Sequence, residues 1–162
     1  HCIIMSTTES LFNSIREGNS AKVADILSAD SSLLEVRDTR GSTPLILATY
    51  YNQIEISKIL LEKGTDLNSK DSSGNTALMG VCFKGYIDIA RLLIDNGADL
   101  NSVNSMGATA LIYAVTFGQL DLIEILLKNS ADSSIKDSKG NSAMDHAMIQ
   151  GNEGIIALLK KG

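Results

Sequence analysis

Residues 71–103 read DSSGNTALMGVCFKGYIDIARLLIDNGADLNSV, and this stretch contains the pattern that decides the fold. Asp71 is followed three residues later by Gly74. Such a run is typical of a β-turn, because Asp accepts hydrogen bonds from nearby backbone N–H groups and Gly tolerates a positive φ. Thr76 then fits the N-cap of a short helix. After Gly85, apolar residues recur at helical spacing up to a further glycine, so the stretch predicts a turn followed by two helices.

The same turn recurs every 33 residues along the chain. It begins at Asp38, Asp71, Asn104 and Asp137, and each of these residues is followed three residues later by glycine. Two residues after each glycine comes a predicted helix start, again at steps of 33 residues: Thr-Pro-Leu, Thr-Ala-Leu, Thr-Ala-Leu and Ser-Ala-Met. Recurrence at several offsets indicates an array of similar units, each of which buries its apolar face against its neighbours.

This pattern resembles the ankyrin repeat, whose units are a β-turn plus two antiparallel helices. The resemblance implies an all-α solenoid of helix-turn-helix units joined by β-turn or hairpin loops, and it covers residues 10–162. It divides the chain into a degenerate N-terminal capping repeat, three full repeats and a C-terminal capping repeat, at residues 10–37, 38–70, 71–103, 104–136 and 137–162. Residues 1–9 are expected to be a leader or residues added ahead of the domain, since His1 precedes Met5.

One departure from the family pattern concerns a histidine that commonly follows Thr-Pro-Leu. Those positions hold Ile46, Met79, Ile112 and Asp145 in this chain. We therefore expect the hydrogen-bond network that such a histidine joins between turns to be absent, and the stability of the stack to be ordinary.

The composition favours a helical, acidic protein whose partner is not a nucleic acid or a membrane. Hydrophobic residues make up 44% of the 162 residues but aromatic residues only 4%, so Leu, Ile, Ala and Val supply the core. Fourteen Lys and Arg against nineteen Asp and Glu give a net charge of −5, which disfavours anionic partners. Cys2 and Cys82 form neither a disulfide framework nor a metal-ligand spacing, and no apolar run is long enough to span a membrane. We therefore expect a cytoplasmic protein without cofactors.

The strongest catalytic candidate combines Ser142, Asp145 and His146. Ser142 and His146 are spaced i,i+4 on one predicted helix and would make the chain a hydrolase. Ser142, however, occupies the N-cap position of its unit, and nothing nearby supplies an oxyanion hole. Cys82 lies in an apolar run and fits a buried small hydrophobe better than a reactive thiol. We therefore assign no catalytic, cofactor-binding or metal-ligating residue and expect that the chain is not an enzyme.

The resemblance implies that the turn tips and the exposed edge of the first helix of each unit form a concave face that binds protein partners. Four of the seven aromatic residues fall near the ends of these helices, and five of the fourteen basic residues fall on turn tips. Aromatic residues are the usual anchors of interfaces. We predict a partner with apolar and acidic surface that contacts Arg37, Arg40, Tyr50, Tyr51, Lys70, Phe83, Lys84, Met106, Phe117, Lys139 and Ile149.

Two functions remain open besides the remote hydrolase hypothesis. The favoured one is a non-catalytic protein-interaction module, which we expect to be a monomer. The other is a regulatory or inhibitory subunit whose partner is an enzyme or a toxin. A plainer interpretation of the surface is that the aromatic residues pack on the next unit and that the turn-tip lysines serve solubility.

Overall fold

The computed structural model describes residues 6–162. Their helices are α1 (Thr7–Glu17), α2 (Ser20–Ala29), α3 (Pro44–Tyr50), α4 (Ile54–Glu62), α5 (Ala77–Lys84), α6 (Ile87–Asp95), α7 (Ala110–Thr116), α8 (Leu120–Lys128), α9 (Ala143–Gln150) and α10 (Glu153–Lys161). A short 3-10 helix, Ser31–Glu35, follows α2. Across residues 6–162 there is no strand, so the expected all-α architecture of helix-turn-helix units is confirmed.

The helices stack in two layers. Helices α1, α3, α5, α7 and α9 lie side by side in one layer, and α2, α4, α6, α8 and α10 form the other. Each odd-numbered helix also packs on the helix that follows it. The core lies between the layers and is made chiefly of Leu, Ile, Ala and Val, of which Leu93 is an example with no exposed surface.

The helix starts follow the sequence pattern. The side chains of Thr43, Thr76, Thr109 and Ser142 each accept a hydrogen bond from a backbone N–H in the first turn of α3, α5, α7 and α9, as predicted for N-caps. Pro44 stands in the first turn of α3, where a missing N–H costs nothing. These four helices span seven or eight residues, because positive-φ residues such as Gly85 follow closely and end them.

The N-terminal end begins earlier than the resemblance suggests. Helix α1 starts at Thr7, three residues ahead of residue 10, because the Ser6 side chain accepts the N–H of Glu9 and caps the helix there. Cys2 and the first five residues of the expected leader lie outside the described residues.

The turns between units stack directly on one another. In the second full repeat, Asp71 Oδ1 accepts hydrogen bonds from the backbone N–H groups of Ser73 and Asn75, both at 2.9 Å. The backbone N–H of Ser105 in the next turn donates to the carbonyl of Ser73 at 3.1 Å. Gly74 is required here for two reasons: its φ is +80°, and a Cβ would lie 2.8 Å from the backbone nitrogen of Ser105. The turns therefore approach as closely as main-chain hydrogen bonding allows.

None of the helices within residues 6–162 is long and apolar enough to cross a lipid bilayer. The longest, α1, has 11 residues, whereas a membrane-spanning helix needs about 20.

Candidate binding groove

A groove of about 740 Å³ lies between the turns and the layer of odd-numbered helices. Its volume falls in the range of roughly 300–1,000 Å³ that is typical of ligand-binding clefts. Five of the residues predicted to contact a partner line it, namely Arg40, Tyr50, Tyr51, Phe83 and Phe117. Their grouping follows from the 33-residue period, which places corresponding positions of neighbouring units side by side.

Four of these residues, Tyr50, Tyr51, Phe83 and Phe117, form what we term the aromatic ridge. They stand at the C-terminal ends of α3, α5 and α7, and between 37% and 47% of each remains exposed. The rings of Phe83 and Phe117 meet edge to face with centroids 4.7 Å apart, and those of Tyr50 and Tyr51 do so at 6.0 Å. The ridge therefore packs partly on itself but keeps a large apolar area accessible.

Lys84, another predicted contact, is held against this ridge. Its Nζ lies 5.0 Å from the ring centroid of Tyr50 and 5.8 Å from that of Tyr86. Both distances permit a cation–π interaction. Lys84 thus places a positive charge between α3 and α5 next to the exposed face of Tyr50.

The basic residues of the turn tips fall into two groups. Arg37 Nη1 donates to the carbonyl of Gly41 at 2.7 Å and also to that of Lys70, and Lys70 Nζ donates to the carbonyl of Val103 at 2.7 Å. These two side chains therefore join successive turns. The cationic groups of Arg40 and Lys139, by contrast, have no hydrogen-bond or ion-pair partner in the part of the chain that the structure describes.

Met106 and Ile149 complete the predicted contacts and lie outside the groove. Met106 on the third full repeat's turn is 58% exposed, and Ile149 near the end of α9 is 74% exposed. The structure adds Met148, which is 62% exposed although its counterparts one and two units earlier, Val115 and Cys82, are fully buried. The period could have identified it, because Met148 is an apolar residue of the last unit at a position that is buried in the two units before it.

The groove also contains residues that the sequence analysis missed. Arg16, Asp71, Gly80 and Tyr113 line it. Arg16 comes from the degenerate first unit, where the repeat pattern is weakest. Gly80 falls 33 residues before Tyr113, and this register is the signal that could have drawn attention to both positions.

The expectation that no side-chain network joins the turns is wrong for the second and third full repeats. Asn104 Nδ2 donates to Asn75 Oδ1 at 2.9 Å and to the Tyr113 hydroxyl at 3.1 Å, and that hydroxyl donates to Asn75 Oδ1 at 3.3 Å. Tyr113 stands one position after the residue that replaces the family's histidine. Because its side chain is long enough to reach two turns, it supplies the missing connection.

Ser142 and His146 each contact a different carboxylate in the structure. The Ser142 hydroxyl accepts the backbone N–H of Asp145 at 3.2 Å, and Asp145 Oδ2 accepts the backbone N–H of Ser142 at 2.9 Å, which is a helix capping box. His146 Nε2 lies instead 2.7 Å from Asp137 Oδ2. The backbone N–H of Asn141 and the His146 side chain lower the pKa of Asp137. Both residues thus have structural partners.

Cys82 is the other reactive side chain considered in the sequence analysis. Burial raises the pKa of the Cys82 thiol to about 12, which is the opposite of the shift that activates a nucleophilic cysteine. Among residues 6–162, no group of three or more His, Cys, Asp and Glu side chains could hold a metal ion.

Two family models match the chain. One, described as ankyrin repeats in three copies, matches residues 11–104, and the other, described as ankyrin repeats in many copies, matches residues 93–147. A comparison with individual curated proteins found no match. The first model alone covers more than half of the 162 residues, and both agree with the stacked helix-turn-helix units of the structure. The chain therefore belongs to the ankyrin repeat family.

Proposed function

We propose that this chain is a non-catalytic module that binds a protein partner in the groove and along the aromatic ridge. Ankyrin repeats generally mediate protein–protein interactions and are typically non-catalytic. The observation that carries the proposal is the aromatic ridge, whose four residues each keep 37–47% of their surface exposed beside the groove. Aromatic side chains dominate interface energetics because they offer a large rigid apolar area for few lost rotamers.

The partner presents apolar groups flanked by acidic ones. Arg40 supports this chemistry, because it lines the groove and its guanidinium is not neutralised by any described residue. Lys139 offers a second unpaired cation three units away along the turn tips. On a chain with a net charge of −5, these two unpaired cations on the turn tips favour the approach of acidic groups of a partner to this face.

The module acts as a monomer in the cytoplasm. The compartment is supported by Cys82, which is a free and buried thiol. Light scattering on a size-exclusion column tests the monomer, and a concentration series is needed because Met148 and Ile149 are exposed at one end of the stack. Cell fractionation with an antibody against the chain tests the compartment.

The experiment that tests the binding face is replacement of Tyr51, Phe83 and Phe117 together by alanine, followed by affinity capture from the source organism. Loss of even one hot-spot side chain of at least 2 kcal/mol weakens binding about thirtyfold, so retained partners are expected to disappear. Leu120→Ala is the matched control, because Leu120 is 48% exposed but lies on α8 in the other layer. Circular dichroism should be unchanged for both proteins. Partners retained equally by the triple variant would contradict the proposal.

A further inference from the structure

The turns open with Asp38, Asp71, Asn104 and Asp137, and these residues differ in whether the second polar atom of the side chain has a partner. In the three full repeats and the C-terminal capping repeat, its Oδ1 accepts two backbone N–H groups of its own turn. In three units the second polar atom also has a partner: Asp38 Oδ2 lies 4.0 Å from Arg16 Nη2, Asn104 Nδ2 lies 3.1 Å from the Tyr113 hydroxyl, and Asp137 Oδ2 lies 2.7 Å from His146 Nε2. The Oδ2 of Asp71 has no such partner among residues 6–162.

Gly80 accounts for the difference between Asp71 and the turn residues Asn104 and Asp137. Tyr113 and His146 stand nine residues after the turn residues that they contact, and the residue nine positions after Asp71 is Gly80. A Cβ placed on Gly80 would meet a single neighbour within 4 Å, the Cδ1 atom of Tyr50 at 3.5 Å. A side chain can therefore begin at Gly80 without a close contact, at the position where the third full repeat and the C-terminal capping repeat carry a ring.

The surroundings of this space define what fits it. Gly80 and Asp71 both line the groove, together with the aromatic side chains of Tyr50, Phe83 and Tyr113. Ring walls favour a flat apolar group, since aromatic pairs prefer edge-to-face or offset contacts. The carboxylate oxygen of Asp71 favours a hydrogen-bond donor on that group.

We propose that Asp71 and Gly80 form a pocket that takes one aromatic side chain carrying a hydrogen-bond donor, a tyrosine or a histidine, from an extended segment of the protein partner. The partner's ring fills the position that Tyr113 and His146 fill in their own units, and it donates to Asp71. This inference rests on the proposed function and adds the side chain that the groove recognises. A site built to bond a donor rejects an analogue without it, so phenylalanine in place of tyrosine weakens binding tenfold or more.

A library of random peptides displayed on phage and selected on the full chain tests the proposal. Tyrosine or histidine should be enriched at one position, flanked by acidic residues. A synthetic peptide of the enriched sequence and its Tyr→Phe or His→Phe analogue are then compared by fluorescence anisotropy. A library that yields no bound peptide, or equal affinity for the two synthetic peptides, would overturn the pocket.

Two variants test whether Gly80 and Asp71 are the residues that bind the partner's ring. Gly80→His introduces the residue that the C-terminal capping repeat has at this position, His146. The new ring would occupy the pocket itself, so the enriched peptide should bind at least tenfold more weakly. Asp71→Asn preserves the turn, as Asn104 does in the third unit, but presents an amide donor where the carboxylate oxygen was. It should therefore weaken the preference for the donor-bearing ring over phenylalanine, because the charge-assisted bond to the carboxylate becomes a neutral bond like the one from Asn104 Nδ2 to the Tyr113 hydroxyl. Circular dichroism and thermal unfolding check that both variants are folded.

The outcomes separate this inference from the proposed function. Peptide binding that is lost in the triple variant of the aromatic ridge but unchanged in Gly80→His and Asp71→Asn refutes the pocket and leaves the binding face standing. Binding that survives in all three variants refutes both. Should Gly80→His fail to fold, Asp71→Asn still decides, because the same turn with asparagine already exists in this chain.

Discussion

Replacing Gly80 by alanine is expected to stabilise the fold. Gly80 is the fourth of eight residues in α5, and glycine in a helix interior costs about 0.8–1.0 kcal/mol relative to alanine. Its added Cβ would lie 3.5 Å from Tyr50 Cδ1, which is an ordinary van der Waals contact. We therefore expect the free energy of unfolding to rise by about 1 kcal/mol and the melting temperature by about 2–4 °C for a chain of this size.

Gly107→Ala is the matched control, because the same chemical change meets the opposite surroundings. Gly107 has φ +73°, and a Cβ there would lie 2.8 Å from the backbone nitrogen of Ser138. Strain of this kind costs about 1–3 kcal/mol, so this variant should be destabilised. Urea titrations monitored by circular dichroism measure the free energy of unfolding of both variants. A fall in stability for Gly80→Ala, or shifts of the same sign in the two variants, would refute the reasoning.

Three further predictions concern the core, the turns and the buried thiol. Leu93→Ala should lower the free energy of unfolding by about 2–5 kcal/mol in urea titrations because Leu93 is fully buried, whereas Leu120→Ala on the exposed surface should change it by no more than about 0.5 kcal/mol. Because the pKa of Asp137 is lowered from 3.8 in the folded chain, its contribution to stability is complete above that value and is lost as the pH falls through the folded pKa. Melting curves in acid should thus show a smaller loss for Asp137→Asn than for the wild type. In a Cys2→Ser background, Cys82 should resist a thiol reagent in mildly alkaline buffer and react only when urea unfolds the chain, since burial raises its pKa to about 12; rapid reaction of the folded protein would contradict this.

The helices and turns were predictable because the information that fixes them is local. An N-cap such as Thr76, the Asp71 turn and the glycine that ends α5 all lie within fifteen residues of one another. The 33-residue period then repeats this information, so an error in one unit is corrected by the others.

Contacts between units were less accessible to sequence analysis. Arg37 donates to the carbonyl of Lys70, 33 residues later, and Lys84 reaches back to the Tyr50 ring. These contacts depend on how far each long side chain extends across the stack, and the repeat pattern contains no signal for that. The hydrogen bonds among Tyr113, Asn75 and Asn104 could not be predicted for the same reason.

The candidate site was predictable in part. The position of the aromatic ridge followed from the family resemblance, and the structure places its residues exposed beside the groove. The space at Gly80 did not follow, because a missing side chain forms no motif. It becomes visible only when Gly80 is compared with Tyr113 and His146 in the folded units.

The hydrogen bonds between successive turns have a consequence for how such a chain diverges. Ser72, Ser105 and Ser138 each donate from the main-chain nitrogen to a main-chain carbonyl of the preceding turn, at 3.0–3.1 Å. Main-chain atoms are the same whatever residue supplies them, so mutations at tip side chains that make no bond to a neighbouring turn, such as Arg40, leave these main-chain bonds in place. Natural selection can therefore exchange one binding specificity for another at these positions while the frame that carries them is inherited intact.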